Sequence, residues 1–141
     1  MPHWNRTAFP DNVIHMDKLT LAVRIVVGLI FFVFGLNGFI GFLPDSPTAP
    51  GVATEYISAL KRTGYFWPVL KGCEVACGLC LLSGYFVPLA LVVIAPVVVH
   101  IFLFHVFLSP PLGLGLFLLV AEAYLGWAYR GSFAGLMKAT T

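Results

Sequence analysis

Residues 68–87 read P-V-L-K-G-C-E-V-A-C-G-L-C-L-L-S-G-Y-F-V, a run apolar enough to cross a bilayer that nevertheless carries Lys71, Glu74, Cys73, Cys77 and Cys80. As a helix it would rise about 30 Å, the thickness of the hydrocarbon layer. An ionised carboxylate there costs several kcal/mol unless it is partnered, so Glu74 is by default a functional-site candidate with a partner to be found.

The rest of the chain shares this character. At 141 residues it fits one domain. Hydrophobic residues make up 60% and charged residues 10%, against roughly 25% charged in a soluble domain, and mean hydropathy is +0.95. A soluble fold of this size would expose much of that apolar surface, so the class is an integral membrane protein in contact with the lipid bilayer. A net charge of +2 is too small to suggest nucleic acid, there is no basic run, and no nucleic-acid partner is expected. Three cysteines confined to one apolar segment imply no disulfide framework.

Outward from the quoted stretch, hydropathy and turn residues predict an all-α, four-transmembrane-helix bundle in a single membrane domain, residues 1–141. The spans are 19–43, 68–87, 88–108 and 112–129, with a polar N-terminal arm at 1–18 and a tail at 130–141. The run 19–43 is too long for a signal-peptide core and ends without a small-residue cleavage site. Pro44 stops it, and Pro47 and Pro50 open the long connection as irregular chain. From Val52 onward Tyr56, Ala59, Leu60 and Thr63 share one helical face, while Glu55, Ser58, Lys61 and Arg62 lie largely on the other. This predicts a short amphipathic helix in the first extracytoplasmic loop, ended by Gly64 and followed by Tyr65, Phe66 and Trp67 as an interfacial aromatic anchor. Ser83, Gly84 and Pro88 mark one tight turn and Ser109, Pro110 and Pro111 another, and Pro96 falls inside the third span, where it predicts a kink. Four spans put both termini on one side. Arg6, Lys18, Arg24, Arg130 and Lys138 lie there, against Lys61, Arg62 and Lys71 opposite, so the positive-inside rule predicts cytoplasmic termini.

Depth then orders the polar residues. At about 1.5 Å per residue from the outer ends of the spans, Asn37 and Glu74 lie roughly 8 Å deep, His105 about 5 Å, His100 about 13 Å and Glu122 about 15 Å. All four helices thus contribute to the outer half of the bundle, and a shared cavity would give Glu74 a histidine or Asn37 as partner. His100 and His105 are about 140° apart on a helix, so one is expected at the cavity and the other at the aromatic interface. Structural alternatives stand beside these readings: a histidine bonded to a backbone carbonyl, Glu74 paired with Lys71 three residues earlier, and Glu122 paired with Arg24.

Cys73, Cys77 and Cys80 fall on one helical face, with a Cys-x-x-Cys spacing at the last two. Redox cysteines need an accessible thiolate near a helix N-terminus, whereas these descend through an apolar helix among Gly72, Ala76, Gly78, Ser83 and Gly84. They read as a packing face, as small residues do in membrane helices. No metal site is expected.

The segments V-R-I-V-V-G-L-I-F-F-V-F-G-L-N-G-F, K-G-C-E-V-A-C-G-L-C-L-L-S-G-Y-F-V-P-L-A-L, A-P-V-V-V-H-I-F-L-F-H-V-F-L and E-A-Y-L-G-W-A-Y-R-G-S-F together resemble the DoxX family of small bacterial four-helix membrane proteins. The resemblance spans about Leu21 to Phe133 and rests on Gly35, Asn37, Glu74, Pro88 and Pro96 in order. Where many relatives carry a lysine just after the first-helix polar site, this chain has Gly38 and Phe39. The resemblance implies a bacterial inner-membrane bundle in contact with quinone or with a membrane or periplasmic redox partner, since the family is named after a subunit associated with a thiosulfate:quinone oxidoreductase. It does not make the chain an enzyme on its own.

The leading expectation is therefore an accessory subunit of a membrane redox assembly, with a polar cavity of Asn37, Glu74, His100, His105 and Glu122. Glu74 would accept a proton, and a histidine would hydrogen-bond a quinone oxygen. A small-molecule permease or binding protein and a non-catalytic scaffold are the alternatives, and a homo-oligomer is compatible with each.

Overall fold

A computed structural model describes residues 17–44 and 51–134, and within them the chain is all-helical, with no strand. The helices are α1 (Lys18–Ile40), α2 (Val52–Arg62), α3 (Phe66–Ser83), α4 (Val87–Phe107) and α5 (Gly113–Ala128), followed by a 3-10 turn at Arg130–Phe133. Helices α1, α3 and α4 are long and apolar enough to cross a membrane. Helix α5 is equally apolar but has 16 residues, about 24 Å of rise. The expected N-terminal arm, except Asp17 and Lys18, and the tail beyond Ala134 lie outside the described residues, as does most of the proline-rich opening of the long connection.

Helix ends differ from the hydropathy boundaries for local reasons. Lys18 already belongs to α1, which stops at Ile40 rather than running to Leu43, because Gly41 turns left-handed at φ 66°. The Asn37 side chain then takes the backbone N–H of Leu43 at 2.7 Å, meeting one of the donors that the broken helix frees. The turn between α3 and α4 starts earlier than the apolar pattern suggests, since Gly84 sits at φ 82° and Phe86 at φ 55°. Pro88 follows inside the first turn of α4, where its missing N–H costs nothing. Helix α4 then continues through Pro96.

Helix α1 packs most extensively against α3 and α4 against α5, while contacts of α3 with α4 and of α5 with α1 close the ring. The α1–α3 seam is built on missing side chains. A Cβ added to Gly78 would lie 2.6 Å from Phe32 N and 2.9 Å from the Gly28 carbonyl oxygen, and one on Gly35 would lie 2.8 Å from Val75 Cγ2. Small residues let membrane helices approach this closely and gain dispersion contacts that lipid would otherwise supply.

The core runs along the ring's axis through Val27, Phe31, Leu81, Ile94, Val98, Leu118 and Leu125. Cys77 is buried among them, Cys73 and Cys80 are half-buried, and all three are free thiols. Leu29, Leu89, Val92 and Val120 face outward. Apolar residues on both faces of a helix are what lipid-embedded helices present. At the end opposite α2, Thr20 bonds Tyr124 at 2.9 Å and Arg24 donates to the Tyr129 hydroxyl at 3.2 Å, tying α1 to α5.

Candidate functional site

Helix α2 roofs one end of the bundle. Glu55 lies in its first turn and Lys61 and Arg62 in its last, the signs that complement the helix dipole. Gly64, at φ 77°, turns the chain into α3. Ala53, Ile57 and Leu60 point into the space between α2 and the helices beneath it.

That space has two adjoining compartments. The mouth compartment holds about 740 Å³ and is lined by Asn37, Gly38, Ser58, Lys61 and Ser109 among others. The deep compartment holds about 190 Å³ and is mostly apolar, with Phe31, Leu60, Leu70, Ile101 and Leu118 in its wall and Glu74 and His100 at its polar edge. Phe34, Ile57, Trp67, Lys71, Phe104 and His105 line both.

Glu74 is buried, and its partner is Lys71, whose Nζ lies 2.8 Å from Glu74 Oε2. The expectation that a histidine or Asn37 would hold this carboxylate is not met. A lysine one turn earlier reaches it first because residues three apart on a helix share a face. The Lys71 stem lies across Gly38, where a Cβ would collide with its Cγ and Cδ. The lysine thus depends on α1 having no side chain at that position. Trp67, one turn before Lys71, donates its indole N–H to the Gly38 carbonyl at 3.3 Å. The ammonium groups of Lys61 and Lys71 stand 4.9 Å and 5.0 Å from the centroid of the Trp67 ring.

Both histidines line the deep compartment. His100 Nε2 lies 2.9 Å from the Tyr56 hydroxyl, with the two rings 5.7 Å apart, so α4 is tied to α2 rather than to α3. His105 Nδ1–H donates to the Ile101 carbonyl at 2.8 Å, which leaves Nε2 as the polar atom of that ring not committed to the helix. Asn37 lines the mouth compartment, but its Oδ1 is used in closing α1.

Glu122 is the expected site residue that the fold sets apart, for it lines neither compartment. Its Oε2 is buried with no hydrogen-bond partner among the described residues, within electrostatic reach of Cys77. Arg24, the structural alternative for its partner, donates to Tyr129. No group of His, Cys, Asp and Glu among the described residues could hold a metal ion.

Helical spacing places Tyr56 and Lys61 only on the two faces of the amphipathic helix, not at the cavity, and Trp67 only in an interfacial anchor. The spacing of Trp67 to Lys71, one helical turn, was the available signal. The Lys61 and Tyr56 contacts cross the Gly64 turn, which no periodicity bridges.

A family model described as DoxX matches residues 19–106, from the start of α1 to the end of α4. No curated protein and no solved structure matches the chain.

Proposed function

The chain belongs to the DoxX family, and from that premise we propose that its two-compartment cavity receives a quinone-type ligand on behalf of a membrane redox assembly in which the chain is an accessory subunit. In this reading α1, α3, α4 and α5 are the four spans of a bacterial inner-membrane protein, both termini are cytoplasmic, and α2 lies on the extracytoplasmic surface. The 16 residues of α5 suffice if the turn at Arg130–Phe133 sits in the headgroup layer.

The observation that carries the proposal is the Lys71–Glu74 pair. Lys71 lines both compartments and Glu74 the deep one, so a charge-bearing proton acceptor and a donor stand where polar and apolar space meet. A quinone has the matching division, with hydrogen-bond-accepting oxygens on an apolar body. Lys71, or an N–H of His105, would donate to one oxygen, and Glu74 would exchange protons with the reduced head. At about 740 Å³ the mouth alone falls within the usual range of ligand sites, about 300–1,000 Å³.

The test is titration of the purified protein with short-chain ubiquinone and menaquinone analogues. Saturable binding that Glu74→Gln weakens supports the reading, and no binding, or binding indifferent to that substitution, removes it. A scaffold role has its own support in Asn37 and His105, each of which spends a side-chain atom on local backbone. Substitutions there that lower folded yield without altering ligand binding would favour it for those two residues.

A further inference from the structure

We propose that the mouth compartment is an anion site and that the cavity as a whole selects amphiphiles with an acidic head, a phosphate or carboxylate on a hydrocarbon chain. This rests on the reading above only in taking the cavity to hold a ligand, not in the ligand being a quinone.

Charge is distributed unevenly along the cavity. Of its two lysines, Lys71 is matched by Glu74 in the deep compartment. Lys61 has no ion-pair partner among the described residues, and no carboxylate lines the mouth among them. Lys61 is nonetheless held in place, because its ammonium rests on the Trp67 ring that also carries Lys71. A cation–π contact leaves the ammonium free to accept an anion as well. Ser58 and Ser109 add hydroxyl donors to the same wall. A neutral head would gain no ion pair from Lys61, and a cationic head would meet two lysines around one indole.

The second half of the argument is continuity. Phe34, Ile57 and Phe104 line both compartments, so an apolar path leads from the Lys61 end toward Leu114 and Leu118, and the charges beside it, Lys71 and Glu74, are paired with each other. A free inorganic anion would satisfy the mouth and leave that path unfilled. An alkyl chain on the anion fills it and gains roughly 0.8 kcal/mol per buried methylene.

The experiment is native mass spectrometry of the full chain released from neutral maltoside micelles, titrated with decyl phosphate, decyltrimethylammonium and inorganic phosphate. Decyl phosphate should bind saturably, and Lys61→Gln should weaken it about tenfold, the size of one lost charge-assisted contact. Lys61 is exposed and its contact is the face of Trp67, so this variant should keep the fold, and Lys61→Arg should restore binding. Decyltrimethylammonium binding as tightly, or Lys61→Gln leaving decyl phosphate untouched, overturns the proposal. Inorganic phosphate competing at equal strength overturns the amphiphile and leaves a free-anion site. Parallel titration with the quinone analogues separates the two readings, because Lys61→Gln should spare them and Glu74→Gln should not.

Discussion

Lys71 Nζ and Glu74 Oε2 meet at 2.8 Å on successive turns of α3, and the lysine reaches that position by lying across Gly38 of α1. The pair is therefore a tertiary feature in the guise of a local one. Removing one member leaves the other charge in a poorly solvated place, a loss of about 3 kcal/mol. Lys71→Met and Glu74→Gln should each lower stability by roughly that amount, and the double variant by clearly less than their sum. Reversible unfolding in mixed micelles measures all three, and strict additivity would show that the two side chains do not depend on each other.

Gly38 is the other half of the same arrangement. Gly38→Ala should push the Lys71 stem aside and separate it from Glu74, whereas Gly72→Ala, with open space around its Cβ, should do neither. The stability of Gly38→Ala should accordingly fall close to that of Lys71→Met. If Gly72→Ala is equally damaging, helix propensity rather than the contact with Lys71 is being measured.

The α1–α3 seam gives a sharper case, because the obstacle at Gly78 is backbone. A Cβ there would meet Phe32 N at 2.6 Å and the Gly28 oxygen at 2.9 Å, and neither can rotate away. Gly78→Ala should force the helices apart at a cost of about 1–3 kcal/mol, read as a lower Tm in detergent. A Tm equal to that of the parent would mean that the seam is looser than described.

Tyr56 and His100 connect the roof to the bundle through one hydrogen bond of 2.9 Å and a tilted ring contact. Tyr56→Phe keeps the ring and loses the hydroxyl, a change of about 0.5–1.5 kcal/mol. Because α2 buries only Ala53, that loss should appear locally. Hydrogen exchange should rise across Val52–Arg62 and stay unchanged in α4. Uniform acceleration over the whole chain would instead place Tyr56 in the global stability of the bundle.

How far such relationships could be read beforehand depended on whether they follow one helix or cross between helices. Hydropathy anticipates the all-helical chain and its long apolar helices, because apolar runs are properties of contiguous chain, and the helical spacing from Val52 to Thr63 falls on α2, whereas the 3-10 turn at Arg130–Phe133 lies in what the pattern gives as a tail. Helix α1 ends three residues before the end of its apolar run at Leu43, and nothing in F-I-G-F-L-P says that Gly41 rather than Pro44 makes the break. The cost of a carboxylate in hydrocarbon marks Glu74, and spacing alone offers Lys71 as its partner. His100, by contrast, pairs with Tyr56 from a segment 44 positions earlier. Depth placed Glu122 level with the cavity, but its angular position on α5, which decides what it faces, depends on how α5 rotates against α4.

Gly84 tests the end of the bundle opposite α2, away from the residues that line the cavity. It takes φ 82° in the turn from α3 to α4, and its Cα side faces Arg24, whose Nη1 and Nη2 would both lie 3.3 Å from an added Cβ. Two costs therefore combine in Gly84→Ala. The left-handed backbone disfavours any Cβ by about 1–2 kcal/mol, and the guanidinium, which also donates to Tyr129, must give way by a few tenths of an ångström. Gly84→Asn carries the same steric demand but is better tolerated in left-handed backbone. The expected order of thermal stability is parent, then Gly84→Asn, then Gly84→Ala, with quinone-analogue and decyl phosphate binding unchanged in all three. Equal losses from Asn and Ala would assign the effect to crowding of Arg24, and no loss from either would show that this turn does not constrain the α3–α4 pair.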